Sequence, residues 1–289
     1  MTLPPVFSEP HRAGAALLLL GLSLALVTLW ATGRGRRTAT YLQYLWWLLL
    51  ALTLSVIVSP TTAVWVLAGL SFLALREYFS LVALRMEDRW AMLGAYLSIA
   101  FMSYFIQIGW YGMFIISIPV YAFLVIPVLV ALGFGKEQGT IFSIGVIDFG
   151  LFLFVYCTGH IAYLARVSPW AAILLVLGVA GSDLAAIAVA GRWGGRGSAL
   201  TLFAAAAVAL ALAYLLSPWT GIPFVHSSAL GLLIPALVLL ARWTLTPIEM
   251  DLRLDASRLQ PGRGEILDNL KSFLFAAPIV FHYIRYFFG

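Results

Sequence analysis

Cysteine and charged side chains are scarce in this sequence. The 289 residues include one cysteine, Cys157, which excludes an intramolecular disulfide framework and a cysteine-rich metal site. Charged residues make up 10% of the chain and hydrophobic residues 63%, and the mean hydropathy is +1.00. A chain this apolar has too few polar side chains to cover a soluble fold, so the composition excludes a soluble globular protein.

What the sequence has instead is a series of apolar segments about as long as a bilayer is thick. A helix of about 20 apolar residues crosses the hydrocarbon core. We therefore predict an all-α, polytopic integral membrane protein with nine or ten transmembrane helices. The first segment lacks a cleavage site and is expected to be retained, and the last either spans the bilayer or re-enters it. The ten segments are 13–32, 41–58, 62–81, 91–108, 111–133, 141–161, 169–191, 198–216, 225–245 and 266–288.

The basic residues between these segments are unevenly distributed. Twelve lie in connections on one side, and two, Arg12 and Arg166, lie on the other. Because basic residues accumulate on the cytoplasmic side of membrane proteins, we expect the N-terminus outside and the loop 246–265 in the cytoplasm. This asymmetry accounts for the net charge of +5 without any nucleic-acid binding.

The densest group of charges is residues 247–272, here called the charged segment. It holds nine charged residues, of the 17 basic and 12 acidic residues in the whole chain. Asp255 and Asp268 lie on either side of the turn PGRG (261–264), which can fold the chain back on itself. Charged loops are commonly just solvated, so that simpler interpretation stays open.

Asp183 is the strongest candidate for an intramembrane functional residue. It lies inside the apolar segment 169–191, where an unpaired carboxylate is costly, so we expect it to face protein or water. The alternative is a purely structural polar contact between helices. Small residues recur beside it at four-residue spacing, which lets another helix approach closely. They are Gly178, Ser182, Ala186 and Ala190.

Two further groups of charged residues flank apolar segments. The glycine-rich turn GRWGGRG (191–197) carries Arg192 and Arg196, which could contact phosphate oxygens or only set topology and end a helix. Arg76 and Glu77 are adjacent, so on a helix they point in different directions and are not simply paired.

Three carboxylates, those of Asp183, Asp255 and Asp268, could together supply one site. Ligands of oxygen alone suit Mg²⁺, which takes one or two protein carboxylates together with the phosphates of a nucleotide. The spacing alone leaves open whether these acids bind a metal at all.

These residues resemble the phosphatidate cytidylyltransferase (CDP-diacylglycerol synthase) family. The chain reads LDASRLQPGRGEILDNLKS (254–272) where that family has a Lys-Asp pair, PGHGG and Asp-Arg-x-Asp-Ser before an apolar helix. GSDLAAIAVAGRWGG (181–195) is similar to the family's membrane aspartate and the Gly-Arg turn after it. SFLALREYF (71–79) resembles a bacterial branch. The resemblance covers roughly residues 70–289.

The resemblance implies one membrane domain over 1–289. Residues 1–70 would form N-terminal helices, and 71–289 a cytidylyltransferase-like core that includes the cytoplasmic signature loop 246–272. The protein would lie in the bacterial inner (plasma) membrane with its site facing the cytoplasm. Its partners would be CTP and a membrane lipid, phosphatidate or another lipid phosphate, and a homodimer stays open.

The activity implied by the resemblance is transfer of CMP from CTP to phosphatidate, giving CDP-diacylglycerol and pyrophosphate in phospholipid biosynthesis. Asp183, Asp255 and Asp268 would hold Mg²⁺, with or without a monovalent cation, and Asp255 and Asp268 would be the catalytic carboxylates. The remaining site residues would be cations that clamp the phosphates. They are Arg192, Arg196, Arg253, Arg258 and Arg263.

The chain departs from the family signature at several positions. The signature histidine is Arg263, the lysine before Asp255 is Leu254, and the second aspartate of Asp-Arg-x-Asp is Lys271. Losing one electrostatic donor from such a site commonly lowers the rate by about 10²–10³. The alternative is therefore a catalytically silent member that binds lipid or nucleotide, or supports a partner phospholipid enzyme. A transporter is disfavoured, because the sequence shows neither paired interrupted helices nor internal symmetry.

Overall fold

The protein is helical throughout the part of the chain that its structure describes. The structure is a computed structural model that describes residues 9–32, 36–133, 138–193, 199–252 and 264–289. These residues form thirteen α-helices and contain no β-strand. The all-α fold predicted from the apolar segments is thereby confirmed.

The helices follow the predicted apolar segments closely. Two pairs, α5 with α6 and α7 with α8, are each joined by a π-helical turn into one continuous run. The helices are α1 (Glu9–Thr32), α2 (Arg36–Ile57), α3 (Thr62–Leu81), α4 (Arg89–Ile108), α5 (Tyr111–Ile116), α6 (Phe123–Ala131), α7 (Thr140–Leu151), α8 (Thr158–Val167), α9 (Pro169–Trp193), α10 (Ala199–Leu215), α11 (Ser217–Thr220), α12 (Phe224–Asp251) and α13 (Glu265–Phe288).

Eight helices or helical runs within the described residues are long and apolar enough to cross a membrane. They are α1, α2, α3, α4, the α5–α6 run, the α7–α8 run, α9 and α12. The apolar helix α10 is shorter, with 17 residues, and α13 begins with acidic residues in its first turn. The protein is therefore an integral membrane protein that crosses the bilayer several times.

The charged segment is more helical than its charge content indicates. The loop was predicted to begin at 246, but α12 continues to Asp251, and α13 begins at Glu265. A helix can carry charges once it has left the hydrocarbon core, so charge marks the membrane boundary rather than the end of the helix. The rest of the predicted loop, 253–263, lies outside the described residues.

The described helices divide into two compact units. The first comprises Met1–Ala63, Leu164–Leu245 and Lys271–Gly289. Within it, α9 packs against α2 and α10. Close approach depends on its small residues, because a Cβ added at Gly178 would lie 3.0 Å from Ile234 of α12. Gly178, the first residue of the small-residue face predicted beside Asp183, therefore lies at a helix contact.

The second unit comprises Val64–Tyr163 and Thr246–Leu270. Here α3 packs on α7 through Tyr78, whose hydroxyl donates to the carbonyl oxygen of Val146 at 3.2 Å. The Tyr78 ring lies against Gly150, so close that a Cβ added at Gly150 would lie 2.7 Å from the ring. The end of α3 next to this contact also carries Glu77, which is buried.

Candidate functional site

Asp183 lies where four helices of the first unit meet. It is on α9, and only 2% of the residue is exposed. Its Oδ2 accepts a hydrogen bond from the hydroxyl of Tyr41 on α2 at 3.2 Å. Its Oδ1 lies 2.7 Å from Nη2 of Arg242 on α12. The side chain of Ser272, on α13, also hydrogen-bonds this carboxylate.

The ion pair with Arg242 explains how a carboxylate can be buried in so apolar a helix. A buried charge is costly unless it is paired and hydrogen-bonded. The Asp183 side chain is 3% exposed and that of Arg242 is 26% exposed, so the pair has one buried and one partly hydrated end. Asp183 is therefore held by one cation and two hydroxyl donors, and its orientation is defined by three neighbouring helices.

Arg242 is the functional candidate that the sequence analysis missed. It was counted only among the basic residues that set the topology. The sequence feature that points to Arg242 is the intramembrane acid itself, because a carboxylate in an apolar helix needs a partner. Arg242 is a basic residue near the end of another apolar segment and so is one possible partner. Only the packing of α12 against α9 identifies it among the basic residues of the chain.

The donor chemistry of the predicted acids fits a magnesium ion. The Asp183 carboxylate has Arg242, Tyr41 and Ser272 as partners. Its oxygens are of the type that Mg²⁺ prefers. Among the described residues, no group of three His, Cys, Asp or Glu side chains lies together in the manner of a metal site. Asp255 lies outside the described residues, so the predicted trio stays a prediction.

Asp268 belongs to the second unit and lies in the first turn of α13. Its backbone N–H donates to the carbonyl oxygen of Gly264 at 3.0 Å, the first hydrogen bond of the helix. Two amides just before it, those of Ile266 and Leu267, donate to Oε1 of Glu77 at 2.9 and 3.3 Å. The start of α13 is thus attached to α3.

The predicted phosphate clamps stay predictions. Arg192 lies in the last turn of α9, and its side chain is not among those described. The other four fall outside the described residues. They are Arg196, Arg253, Arg258 and Arg263.

A second buried acid, Asp88, forms a separate cluster in the second unit. Its Oδ1 lies 2.8 Å from Nη2 of Arg85, and its Oδ2 accepts from the Arg85 backbone N–H at 3.0 Å and from the Ser143 hydroxyl at 2.6 Å. The hydrogen bond with Asp88 raises the pKa of the Arg85 guanidinium. Arg85 also donates to the carbonyl oxygen of Gln138 at 3.0 Å. This cluster ties the turn before α4 to the start of α7.

Comparison with models of protein families matches residues 40–287 to the cytidylyltransferase family. The chain belongs to this family. The cytidylyltransferase match confirms the resemblance seen in the charged segment and around Asp183, and it begins at residue 40 rather than near 70. It therefore includes Tyr41 of α2, so Asp183 and the three residues that contact its carboxylate all lie within the matched region.

One relative of this cytidylyltransferase-family chain is the uncharacterized protein YnbB of Escherichia coli (strain K12). The two are 26% identical over 298 residues, which cover 94% of this chain and 96% of YnbB. No solved structure matches the chain. Family membership supports a CTP-using transferase activity of the nucleotidyltransferase type.

Proposed function

We propose that this protein transfers CMP from CTP to phosphatidate in the membrane. An oxygen of the phosphatidate phosphate attacks the α-phosphorus of CTP, the bond to the β-phosphate breaks, and CDP-diacylglycerol and pyrophosphate are the products. The observation that supports this most is the buried Asp183, held by Arg242, Tyr41 and Ser272 inside the family-matched region.

The side chains of this site would act mainly by positioning and by balancing charge, since phosphoryl transfer offers little other chemistry to a protein. Arg242 holds the Asp183 carboxylate in a defined orientation. Asp183, Asp255 and Asp268 would hold Mg²⁺, an assignment that rests on the sequence signature. When bound, that ion would neutralise charge on the phosphates of the nucleotide.

The arginines of the glycine-rich turn and of the charged segment would bind the phosphates of CTP and orient the α-phosphorus. They are Arg192, Arg196, Arg253, Arg258 and Arg263. The excess of basic residues in the connections on one side supports a site at the cytoplasmic face of a bacterial inner membrane, where CTP is available. Phosphatidate would reach it from the adjacent leaflet, because its acyl chains stay in the bilayer.

The test is conversion of α-labelled CTP by purified protein in vesicles that contain phosphatidate and Mg²⁺. We expect CDP-diacylglycerol from the wild-type protein and at least a 100-fold lower rate in Asp183→Asn and Asp268→Asn, because each loses a charge that the site needs. Asp251→Asn is the matched control, since Asp251 is an exposed acid at the end of α12. Wild-type rates in both site variants would refute this assignment.

A second candidate function is a catalytically silent family member that binds CTP or lipid phosphate. It is favoured by two observations, the arginine already paired with Asp183 and the lysine at position 271 in place of the signature's second acid. It predicts that CTP binds to the purified protein, measured by calorimetry, without product formation in the vesicle assay. Turnover at ordinary enzymatic rates would exclude this candidate.

A further inference from the structure

Glu77 is a buried acid that neither the ion pair of Asp183 nor the cluster around Asp88 explains. It lies near the end of α3 in the second unit and is 3% exposed, whereas its neighbour Arg76 is exposed. The two side chains therefore point to different sides of α3, as their adjacency predicts. A carboxylate buried in this way is costly unless it accepts hydrogen bonds.

The hydrogen bonds that Glu77 accepts come from the beginning of α13. Its Oε1 lies 2.9 Å from the backbone nitrogen of Ile266 and 3.3 Å from that of Leu267. The first amides of a helix have no partner within the helix, and those of its second and third residues are the ones that an N-cap side chain normally satisfies. Glu77 therefore supplies the acceptor that an N-cap side chain would normally supply to α13, although it is 189 residues away from Ile266.

The chain itself offers no capping side chain at the N-cap position of α13. The residue at the N-cap position is Gly264, which has no side chain and adopts a left-handed backbone with φ of 92°. Its carbonyl oxygen accepts from the N–H of Asp268, so the helix begins here. A negative charge at this end is also favourable, because the helix dipole is positive at the N-terminus.

We infer that Glu77 is a positioning residue for Asp268. The two amides that it holds immediately precede Asp268, so fixing them fixes where α13 begins and the direction in which the Asp268 side chain leaves the helix. The inference rests on the proposed function for its catalytic consequence, because Asp268 matters to the reaction only if the protein transfers CMP. The cap itself does not depend on the reaction.

Three substitutions separate the reach of Glu77 from its charge. Glu77→Ala removes the acceptor. Glu77→Asp keeps the charge but is one methylene shorter, so it no longer reaches the amides of α13. Glu77→Gln keeps the length and an acceptor oxygen but loses the charge. Glu87→Ala is the matched control, because Glu87 is an exposed glutamate in the same unit.

The direct measurement is hydrogen–deuterium exchange of the full-length protein in lipid nanodiscs, followed in peptides that cover 264–272. Loss of a cap should speed exchange of the first amides of α13 about five- to tenfold in Glu77→Ala and Glu77→Asp. Glu77→Gln should stay closer to wild type, and Glu87→Ala should not differ from it. If Glu77→Ala cannot be obtained as folded protein, the exchange rates of Glu77→Asp and Glu77→Gln are compared with the wild type instead. Unchanged exchange in folded Glu77→Asp would overturn the cap.

The second measurement is the rate of CTP conversion in phosphatidate vesicles. Groups that orient a catalytic side chain commonly contribute 10- to 100-fold to activity. We expect kcat to fall by that factor in Glu77→Asp, with KM for CTP within about twofold, and Glu77→Gln to recover most of it.

The two measurements distinguish failure of the inference from failure of the proposed function. Faster exchange with an unchanged kcat would overturn the positioning role of Glu77. No conversion by the wild-type protein would overturn the proposed function and the catalytic consequence of Glu77 with it, and exchange alone would then decide whether the cap exists.

Discussion

Oδ1 of Asp183 lies 2.7 Å from Nη2 of Arg242, and this ion pair joins α9 to α12. The acid is 3% exposed and the arginine 26%, so the carboxylate depends on its partner more than the arginine does. Since Tyr41 and Ser272 donate to the same carboxylate, the orientation of one side chain is set by α2, α12 and α13 together. An acid held this firmly is suited to a role that requires a fixed orientation.

Removing the cation should destabilise the protein more than removing both charges. We expect Arg242→Met to lower the free energy of unfolding by about 3 kcal/mol, because it leaves Asp183 buried without its ion-pair partner. The double variant Asp183→Asn/Arg242→Met should recover at least half of that loss. The measurement is thermal unfolding in nanodiscs at a fixed scan rate.

Arg76→Met is the control for the loss of an arginine, because Arg76 is exposed on α3. It should leave the unfolding temperature within about 1 °C of wild type, since Arg76 forms no ion pair among the described residues. If Arg242→Met were as stable as Arg76→Met, the ion pair between Arg242 and Asp183 would contribute nothing measurable to the free energy of unfolding.

The Tyr41 hydroxyl should contribute a smaller, separable amount. Tyr41→Phe keeps the ring but removes the donor to Oδ2 of Asp183, and a hydrogen bond to a charged group is worth about 1.5–3 kcal/mol. We expect a loss near the lower value, because the other donors to Asp183 remain. The same unfolding measurement applies, with Tyr104→Phe, an exposed tyrosine, as the control. Equal unfolding temperatures for the two variants would contradict this assignment.

The membrane helices were predictable from the sequence, because a bilayer imposes a length on each apolar segment. The segment 62–81 coincides with α3 at both ends, and the segment 266–288 differs from α13 by one residue at its start. The end of α12 was less predictable, since charge content marks where the hydrocarbon core ends and not where backbone hydrogen bonding ends. The helix therefore extends to Asp251, beyond the predicted loop boundary.

The partners of the buried acids could not be predicted, because they are contacts between residues far apart in the chain. The cost of a buried carboxylate indicates that Asp183 has a partner but not that the partner is Arg242. The cap of α13 is harder still, since Glu77 is 189 residues away from Ile266. Glycine is common at the N-cap position of helices, so Gly264 by itself does not predict a capping side chain from another part of the chain.

The cluster around Asp88 should be important for stability and not for the reaction. Asp88 is fully buried and accepts hydrogen bonds from Arg85 and Ser143, so Asp88→Ala should cost about 1.5–3 kcal/mol by removing the charged acceptor that both residues share. Ser143→Ala removes one hydrogen bond and should cost about 1 kcal/mol. Both values follow from unfolding in nanodiscs, with the exposed Glu87→Ala as control.

The variants of this cluster also separate stability from activity. Ser143→Ala should convert CTP at the wild-type rate per folded molecule, because Ser143 donates to Asp88, which is not one of the proposed site residues. A rate at least tenfold lower in folded Ser143→Ala would show that the cluster takes part in the reaction.

Two glycines of α7 should respond to alanine in opposite directions. At Gly150, an added Cβ would lie 2.7 Å from the ring of Tyr78, which cannot move freely because its hydroxyl donates to the carbonyl oxygen of Val146. Gly150→Ala should therefore cost about 1–3 kcal/mol through overpacking. At Gly145 nothing lies within 4 Å of the added Cβ. Gly145→Ala should be neutral or stabilise by up to about 1 kcal/mol, because alanine favours a helix more than glycine does.

The unfolding temperatures of the two alanine variants in nanodiscs check this prediction. Both change the same residue type on the same helix by one methyl group, so the difference between them reports the contact of Gly150 with Tyr78 and Leu75 of α3. Adding Tyr78→Leu to Gly150→Ala should relieve the overpacking, so that the double variant costs less than the sum of the two single variants. Additive costs, or equal effects of alanine at 145 and 150, would show that α3 does not pack on α7 as closely as the 2.7 Å approach indicates.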